Sequence, residues 1–166
     1  GLTWAKVGLA GEAQRTDWRR RLERLADQLR PVPLVVAAYA DWRRAQAPPL
    51  DAVLEFAIGA RFSALLIDTW KKDERRLLDW LPIGEIAAMQ ARMPEHMSLA
   101  LAGRLRLRDL QHLLPLRPAL LAVRGLACVG SRRSAVVQAE RVAVLQRRLA
   151  RLRPSTPAAV VAGSQA

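Results

Sequence analysis

All three lysines of this 166-residue chain stand where predicted strands end, at Lys6, Lys71 and Lys72. Asp41 and Asp68 hold comparable positions after apolar runs. A lysine amine near other cations in a partly dry pocket loses its proton more readily, so it can form an imine with a carbonyl carbon or transfer a proton. A neighbouring carboxylate can move protons between carbon and oxygen. A structural ion pair of Lys6 or Lys72 with Asp68 uses the same residue types, so both interpretations stay open here.

The spacing of Asp68 and Lys72 sharpens the catalytic interpretation. The two residues are four apart, so a helical turn after the strand would place both side chains on one face. Lys71 would then point about 100° away, toward solvent. We therefore expect Lys72, and not Lys71, to share a pocket with Asp68.

Short apolar runs that alternate with longer amphipathic segments must position these residues. The predicted strands are residues 2–9, 33–39, 63–69, 98–102 and 119–124, and the predicted helices are 12–29, 50–60, 82–92, 107–114 and 135–152. Because the runs are continuously hydrophobic, they are typical of parallel strands covered on both faces. The chain is therefore predicted to be α/β, with five βα units followed by a disordered tail at 154–166.

Repeated βα units allow either an open doubly wound sheet or a closed (β/α)₈ TIM barrel. No G-x-G-x-x-G follows the first predicted strand, so the usual dinucleotide signal of the open form is missing. The barrel is favoured. Because a full barrel needs eight strands and about 250 residues, residues 1–153 are expected to be the C-terminal portion of one.

The last two predicted strands end in glycines that could face a phosphate. Gly103 and Gly125 would let an anion approach bare backbone N–H groups, and barrels often bind phosphate after their last two strands. A helix beginning near Ser134 would add its positive end, with Arg132 or Arg133 as the counter-charge. The alternative is that both glycines only form tight turns.

The formal net charge of +12 comes almost entirely from 24 arginines. Many lie in runs on predicted helices, at 19–24 and 147–153, where a solvated face paired with nearby acids explains them. A rival interpretation is a non-catalytic basic module that binds nucleic acid or an acidic partner. It does not explain why all the lysines gather at strand ends, so no nucleic-acid partner is expected.

Other residue types make several classes of site improbable. Cys128 is the single cysteine, and His96 and His112 lack metal-ligand spacing, so neither a metal nor a cofactor is expected. No run of about 18 apolar residues could span a bilayer, and no leader is evident. A cytoplasmic protein without a membrane partner is predicted.

Five segments at predicted strand ends carry a family resemblance. They are Ala-Lys6-Val-Gly8-Leu, Val-Val-Ala-Ala-Tyr39-Ala-Asp41, Leu-Leu-Ile-Asp68-Thr69-Trp-Lys-Lys72-Asp73, Ala-Leu-Ala-Gly103-Arg-Leu and Val-Arg124-Gly125-Leu-Ala-Cys128. In this order they resemble the (5-formylfuran-3-yl)methyl phosphate synthase family over residues 5–152.

The resemblance implies a barrel enzyme of methanofuran biosynthesis and one-carbon metabolism, a carbon–oxygen lyase acting on phosphates. It would condense two molecules of glyceraldehyde 3-phosphate to a furan aldehyde phosphate through a lysine imine, with loss of water and one phosphate. Lys6, Asp68 and Lys72 match the family's catalytic positions. The implied substrate- or phosphate-binding residues are Asp41, Gly103, Arg124, Gly125, Arg132 and Ser134.

The chain also departs from the family pattern. The N-terminal Asp-x-Lys segment, to which the resemblance assigns the imine-forming lysine, is not in this sequence. We therefore expect the chain alone to be inactive, and its partners to be the missing barrel strands or a second copy, besides a phosphorylated three-carbon substrate. Another class I aldolase-like barrel for sugar phosphates would share every feature except the motifs.

Overall fold

A five-stranded parallel sheet organises the computed structural model, which describes residues 3–132 and 134–152. The strands are β1 Ala5–Gly8, β2 Leu34–Tyr39, β3 Ala64–Asp68, β4 Ser98–Leu101 and β5 Leu120–Leu121. The α-helices are α1 Trp18–Gln28, α2 Trp42–Ala45, α3 Leu50–Gly59, α4 Ile83–Ala91, α5 Leu107–Leu113 and α6 Ala139–Leu152. The prediction of an α/β protein with five βα units is confirmed.

Every strand pairs in parallel with the next strand along the chain, in the order β1-β2-β3-β4-β5. A doubly wound sheet reverses its strand order at a switch point, and this sheet has no such reversal among its described strands. β1 and β5 are its two outer strands. Closure into a barrel, and assignment to a barrel's C-terminal portion, stay predictions.

The two faces of the sheet differ in what covers them. One face carries Val36, Leu65, Ile67, Leu99 and Leu101, which share the main core with buried side chains of α1, α3, α4 and α5. On the opposite face, a smaller cluster holds only strand-derived side chains, mostly alanines: Ala37, Leu66, Ala100 and Ala102, with Val35 packed against them. The helices with buried residues in the core therefore lie on one side of the sheet.

The arginine run of α1 fits the solvated-face prediction. Trp18 and Leu22 point into the core, whereas the arginines at positions 19, 20, 21 and 24 are exposed. Arg21 pairs with Glu12 at 3.1 Å, before the helix begins. Exposed pairs of this kind contribute at most about 1 kcal/mol each. Solvent exposure and pairing with a nearby acid therefore account for the arginine run of α1.

Several predicted boundaries are wrong. α1 begins at Trp18 because Gly11 (φ +80°) and the following residues form turns. α6 begins at Ala139, since Val137 forms an antiparallel bridge with Cys128. β5 has only two residues, and 3₁₀ turns at Gly125–Ala127 and Val129–Ser131 follow it. α2, four residues long, has too few residues to show a period. The predicted tail at 154–166 lies outside the described residues.

Candidate active site

The carboxyl ends of β2 and β3 bring a lysine and two carboxylates together. Lys72 Nζ donates to Asp68 Oδ1 at 3.1 Å and to the carbonyl oxygen of Thr69. The Asp68 side chain is about 15% exposed and also accepts the backbone N–H of Thr69 at 2.7 Å. Lys72 and Asp68 thus lie together, as expected, in an ion pair that fits both the catalytic and the structural interpretation, and their catalytic role stays a prediction. The reason given for their proximity is wrong, because the segment consists of bends and not of a helical turn.

Asp41 reaches this segment from the end of β2. Its Oδ1 accepts the backbone N–H of Trp70 at 2.6 Å, and its Oδ2 accepts that of Lys71 at 2.9 Å. The residue is only 2% exposed. Both oxygens are therefore engaged by protein backbone, and contact between Asp41 and a substrate stays a prediction. The Lys71 residue is exposed, as expected.

Tyr39 closes the same region toward β1. A Cβ placed on Gly8 would lie 2.2 Å from the Tyr39 hydroxyl oxygen, so glycine leaves the space that this hydroxyl occupies. Trp70 packs edge-on against the Tyr39 ring, with centroids 5.6 Å apart. Burial, reinforced by the negative charges of Asp68 and Asp41, raises the pKa of Tyr39 above its usual range. The phenol thus stays a hydrogen-bond donor at neutral pH.

Lys6 lies apart from the other two candidate catalytic residues. Lys6 lies inside β1 and not after it, and the residue is exposed. It is in register with Val35 of β2, whereas Asp68 of β3 is in register with Tyr39 at the other end of β2. Four residues of strand span about 13 Å, and β2 separates β1 from β3 by roughly another 10 Å across the sheet. This separation exceeds the reach of one lysine side chain. No ion pair joins Lys6 to Asp68 among the described residues.

A cavity of about 720 Å³ opens beside Asp68 and Lys72 and extends over the ends of β4 and β5. Its cationic lining residues are Lys72, Arg104, Arg106, Arg124 and Arg132. Gly103, Gly125 and Ser134 line it as well, so every residue predicted to bind phosphate except Asp41 borders this cavity. A separate cavity of about 490 Å³ lies among α2, α3 and α4; Asp41 is one of its lining residues, whereas Asp68 and Lys72 are not.

The two predicted phosphate glycines are held in tight backbone. Gly103 has φ +105°, and a Cβ there would lie 3.0 Å from the Thr69 side chain. A Cβ on Gly125 would lie 3.1 Å from the Ser131 carbonyl oxygen. These contacts account for both glycines as turn residues, and their contact with phosphate stays a prediction.

The expected helix N-terminus at Ser134 is wrong, because α6 begins at Ala139. Ser134 and Arg132 are nevertheless exposed residues on the cavity lining. The alternative counter-charge, Arg133, lies outside the described residues.

Sequence reasoning missed two cationic lining residues, Arg104 and Arg106. Arg104 adopts a left-handed φ of +50°, and its guanidinium reaches back to the Asp73 carbonyl oxygen and to Glu74 at 3.1 Å. The sequence signal for Arg104 is its position directly after Gly103, whereas of these two residues only the glycine is predicted to contact phosphate. Arg106 has its backbone N–H held by Asp109 at 2.7 Å.

Three further sequence interpretations have structural outcomes. Cys128 is fully buried, as expected of a small hydrophobic residue. Within the described ranges, no three His, Cys, Asp or Glu side chains gather in a way that could hold a metal ion. Of the helices in the part of the chain the structure describes, none has the length and apolar character that a membrane crossing requires.

Comparison with known proteins identifies the family to which this site belongs. The family model for 4-HFC-P synthase matches residues 1–146. The chain belongs to the 4-HFC-P synthase family. The resemblance inferred from the five motifs is thereby confirmed.

Three similar curated proteins carry the name of the family that the five motifs resemble. The chain is 33% identical over 156 residues to (5-formylfuran-3-yl)methyl phosphate synthase of Methanopyrus kandleri, covering 90% of this chain and 66% of the relative. It is 36% identical over 141 residues to a putative synthase of Kitasatospora aureofaciens, covering 81% and 56%. For the Methanosarcina acetivorans synthase the identity is 29% over 143 residues, covering 83% and 61%. The chain thus spans about three fifths of the length of these relatives.

Proposed function

We propose that this chain provides the greater part of a (5-formylfuran-3-yl)methyl phosphate synthase. In the proposed reaction, two molecules of glyceraldehyde 3-phosphate condense to a furan aldehyde phosphate, with loss of water and one phosphate group. This is carbon–oxygen lyase chemistry on a phosphorylated substrate, and we place it in methanofuran biosynthesis. The relatives' names support the product, and glyceraldehyde 3-phosphate is the substrate that the motif resemblance implies.

The observation that carries the proposal is the Lys72–Asp68 pair beside an arginine-lined cavity. The carboxylate can accept a proton from the carbon next to a carbonyl or imine, while the Lys72 ammonium donates to the developing oxygen or leaving group. Arg124 and Arg132 offer the positive charge that a phosphate ester needs. The two kinds of group are adjacent, as a reaction on a small sugar phosphate requires.

The proposed mechanism runs through a lysine imine. A neutral lysine amine attacks the aldehyde carbon and releases water, and the imine then makes the adjacent C–H bond more acidic. The resemblance assigns the imine-forming lysine to an Asp-x-Lys segment that is not in this sequence. Within this chain, Lys6 and Lys72 are the candidates that match the family's catalytic positions, and of these two only Lys72 lies within reach of Asp68 in the described structure.

We also propose that the sheet forms part of a TIM barrel. Sequential parallel strands with the core-forming helices on one face are the arrangement of that fold, and the alanine-rich face would be its interior. The edges of β1 and β5 would then meet a further polypeptide segment, either more of the relatives' length or a second copy. Leu120 on β5 is 57% exposed, which suits such a contact.

Product formation and imine trapping test this function. The chain, and the same chain extended to the relatives' length, are incubated with glyceraldehyde 3-phosphate, and the furan aldehyde phosphate is measured by mass spectrometry and ultraviolet absorbance. Borohydride reduction followed by peptide mapping then identifies the lysine that carries the reduced substrate. We expect product from the extended chain. An adduct without furan product would favour the alternative of another aldolase-like sugar-phosphate enzyme, and neither adduct nor product would refute both.

A further inference from the structure

Asp41 stands at the start of a helix but does not cap it. Asp is a favoured N-cap residue, whose carboxylate usually accepts an N–H from the first turn of its own helix. Here no side-chain cap bond is made to α2, and both oxygens cross to the segment after β3. The side chain connects the end of one strand to the loop of the next, and this needs an explanation other than helix capping.

The loop that receives these bonds has no regular secondary structure. Residues 69–76 contain no helical turn or strand, so their backbone N–H groups lack the ladder partners of regular structure. Asp41 satisfies the N–H groups of Trp70 and Lys71, the two residues immediately before Lys72. Further along, Arg44 of α2 pairs with Asp73 at 2.7 Å, which anchors the other side of Lys72.

We propose that Asp41 is a positioning residue that fixes the loop from which Lys72 reaches Asp68. With the N–H groups of residues 70 and 71 held, Lys72 can extend only over a narrow range, and its Nζ meets the Asp68 carboxylate and the Thr69 carbonyl oxygen. Asp41 thereby acts on the reaction through Lys72 and not through the substrate. The expected effect of Asp41 on catalysis rests on the proposed function, whereas its expected effect on the loop backbone does not.

The burial of Asp41 separates this role from substrate contact. With 2% of the residue exposed and each oxygen accepting a backbone N–H, Asp41 offers little free surface to a phosphate or sugar, although it borders the cavity of about 490 Å³ in the helix layer. An anion would also be repelled by the Asp41 carboxylate, whereas the arginines that line the cavity of about 720 Å³, which Asp41 does not border, would attract it.

The structural arm of the test measures backbone protection in Asp41→Asn. Asparagine keeps one acceptor oxygen and turns an NH₂ toward the second N–H, so one bond is lost without a change in size. We expect amide hydrogen exchange at Trp70 and Lys71 to accelerate by about tenfold or more, as the loss of a charge-assisted bond implies. The matched control is Asp109→Asn, because Asp109 is equally buried at 2% and accepts the backbone N–H of Arg106; it also pairs with the side chain of Arg76, at the far end of the loop from Trp70 and Lys71. Exchange at Trp70 and Lys71 should be unchanged in that control.

The kinetic arm is a double-mutant cycle in the active, extended protein. Asp41→Asn should lower kcat by about 10- to 100-fold with little change in KM, and Asp41→Glu, which keeps two acceptor oxygens, should lose less. In a Lys72→Met background, Asp41→Asn should add almost no further loss, because the two residues act as a unit. If Asp41→Asn does not fold, the Asp41→Glu variant carries the same cycle.

The outcomes divide clearly. Faster exchange at Trp70 and Lys71 with a non-additive cycle supports the positioning role. Unchanged exchange, independent losses, or an effect confined to KM overturns it. If no variant of the protein forms the furan product, the proposed function fails, and the exchange measurement alone still decides whether Asp41 holds the loop.

Discussion

Two parts of the strand-end surface contrast in how their polar groups are used. The β2–β3 rim consists of Tyr39, Asp41, Asp68, Thr69 and Lys72, and the β4–β5 rim consists of Gly103, Arg104, Arg124, Gly125 and Arg132. In the first, carboxylates, a lysine and backbone N–H groups contact one another at 2.6 to 3.1 Å. In the second, the residues border a cavity of about 720 Å³, to which Asp68 and Lys72 of the first rim also contribute, and Arg104 is bonded to Asp73 and Glu74.

The contrast indicates that the two rims have different roles: one fixes groups for proton transfer, and the other leaves space for a bound phosphate. Proton transfer needs a donor and an acceptor fixed within hydrogen-bond distance, which the β2–β3 rim provides. Binding a phosphate ester needs positive charge facing open space, which the β4–β5 rim provides. If the contrast is functional, variants of the first rim should change kcat, and variants of the second should change KM.

The largest expected effect comes from Lys72 in the β2–β3 rim. Lys72→Met removes the amine that meets Asp68, and the loss of a proton-transfer group should lower kcat by about 10²- to 10⁴-fold. Lys71→Met, the adjacent control, should cost little more than an exposed charge. Steady-state kinetics on both variants of the extended protein is the measurement. Equal losses at the two positions would remove Lys72 from the site.

A smaller effect, of a different kind, is expected at the β4–β5 rim. Arg124→Gln and Arg132→Gln should each raise KM by roughly 10- to 100-fold while kcat changes little, since one charge-assisted contact to phosphate is lost. Arg20→Gln on the exposed face of α1 is the control. A fall in kcat with constant KM would mean that the arginines act on the transition state, and the division between the rims would fail.

Backbone geometry at the β4–β5 rim gives a stability prediction. Gly103→Ala forces a side chain into φ +105° and against Thr69, so the free energy of unfolding should fall by about 1–3 kcal/mol. Gly84→Ala is the opposite case, because nothing lies within 4 Å of a Cβ on this α4 residue. That variant should gain about 0.5–1 kcal/mol. Urea unfolding measures both, and an unaffected Gly103→Ala would leave phosphate contact as the reason for the glycine.

The smallest effect concerns Tyr39, the single tyrosine of the chain. Because its pKa is raised in the folded state, the folded chain holds the phenol proton more tightly than the unfolded chain. The resulting stability is present below the unfolded value of about 10 and is lost as pH rises through the folded pKa, by at most about 1.4 kcal/mol per pH unit. Phenolate absorbance in folded and urea-unfolded chain checks the direction. A folded pKa at or below the unfolded one would contradict the burial of the hydroxyl beside two carboxylates.

Much of the fold could be predicted because its signals are local. Buried parallel strands require continuous apolar runs, and helices against them require apolar residues every three or four positions, so five βα units followed from the sequence. One boundary prediction failed where a backbone bridge, and not periodicity, decides the helix start. The bridge between Cys128 and Val137 joins residues on two sides of a turn, and α6 begins only after it. A single bridge produces no periodic pattern of apolar residues that the sequence could reveal.

By itself the sequence determined the family, the α/β class and the choice of Asp68 and Lys72, because residue types at strand ends and motif order are written along the chain. Tertiary structure alone decided which of the candidates meet. Strand register set Lys6 apart from Asp68, and a bent loop, not a helix, joined Lys72 to it. Asp41 does not cap its own helix but accepts N–H groups of a neighbouring loop. A buried carboxylate bonds to the N–H groups that packing leaves without partners, and packing depends on residues far apart in the sequence.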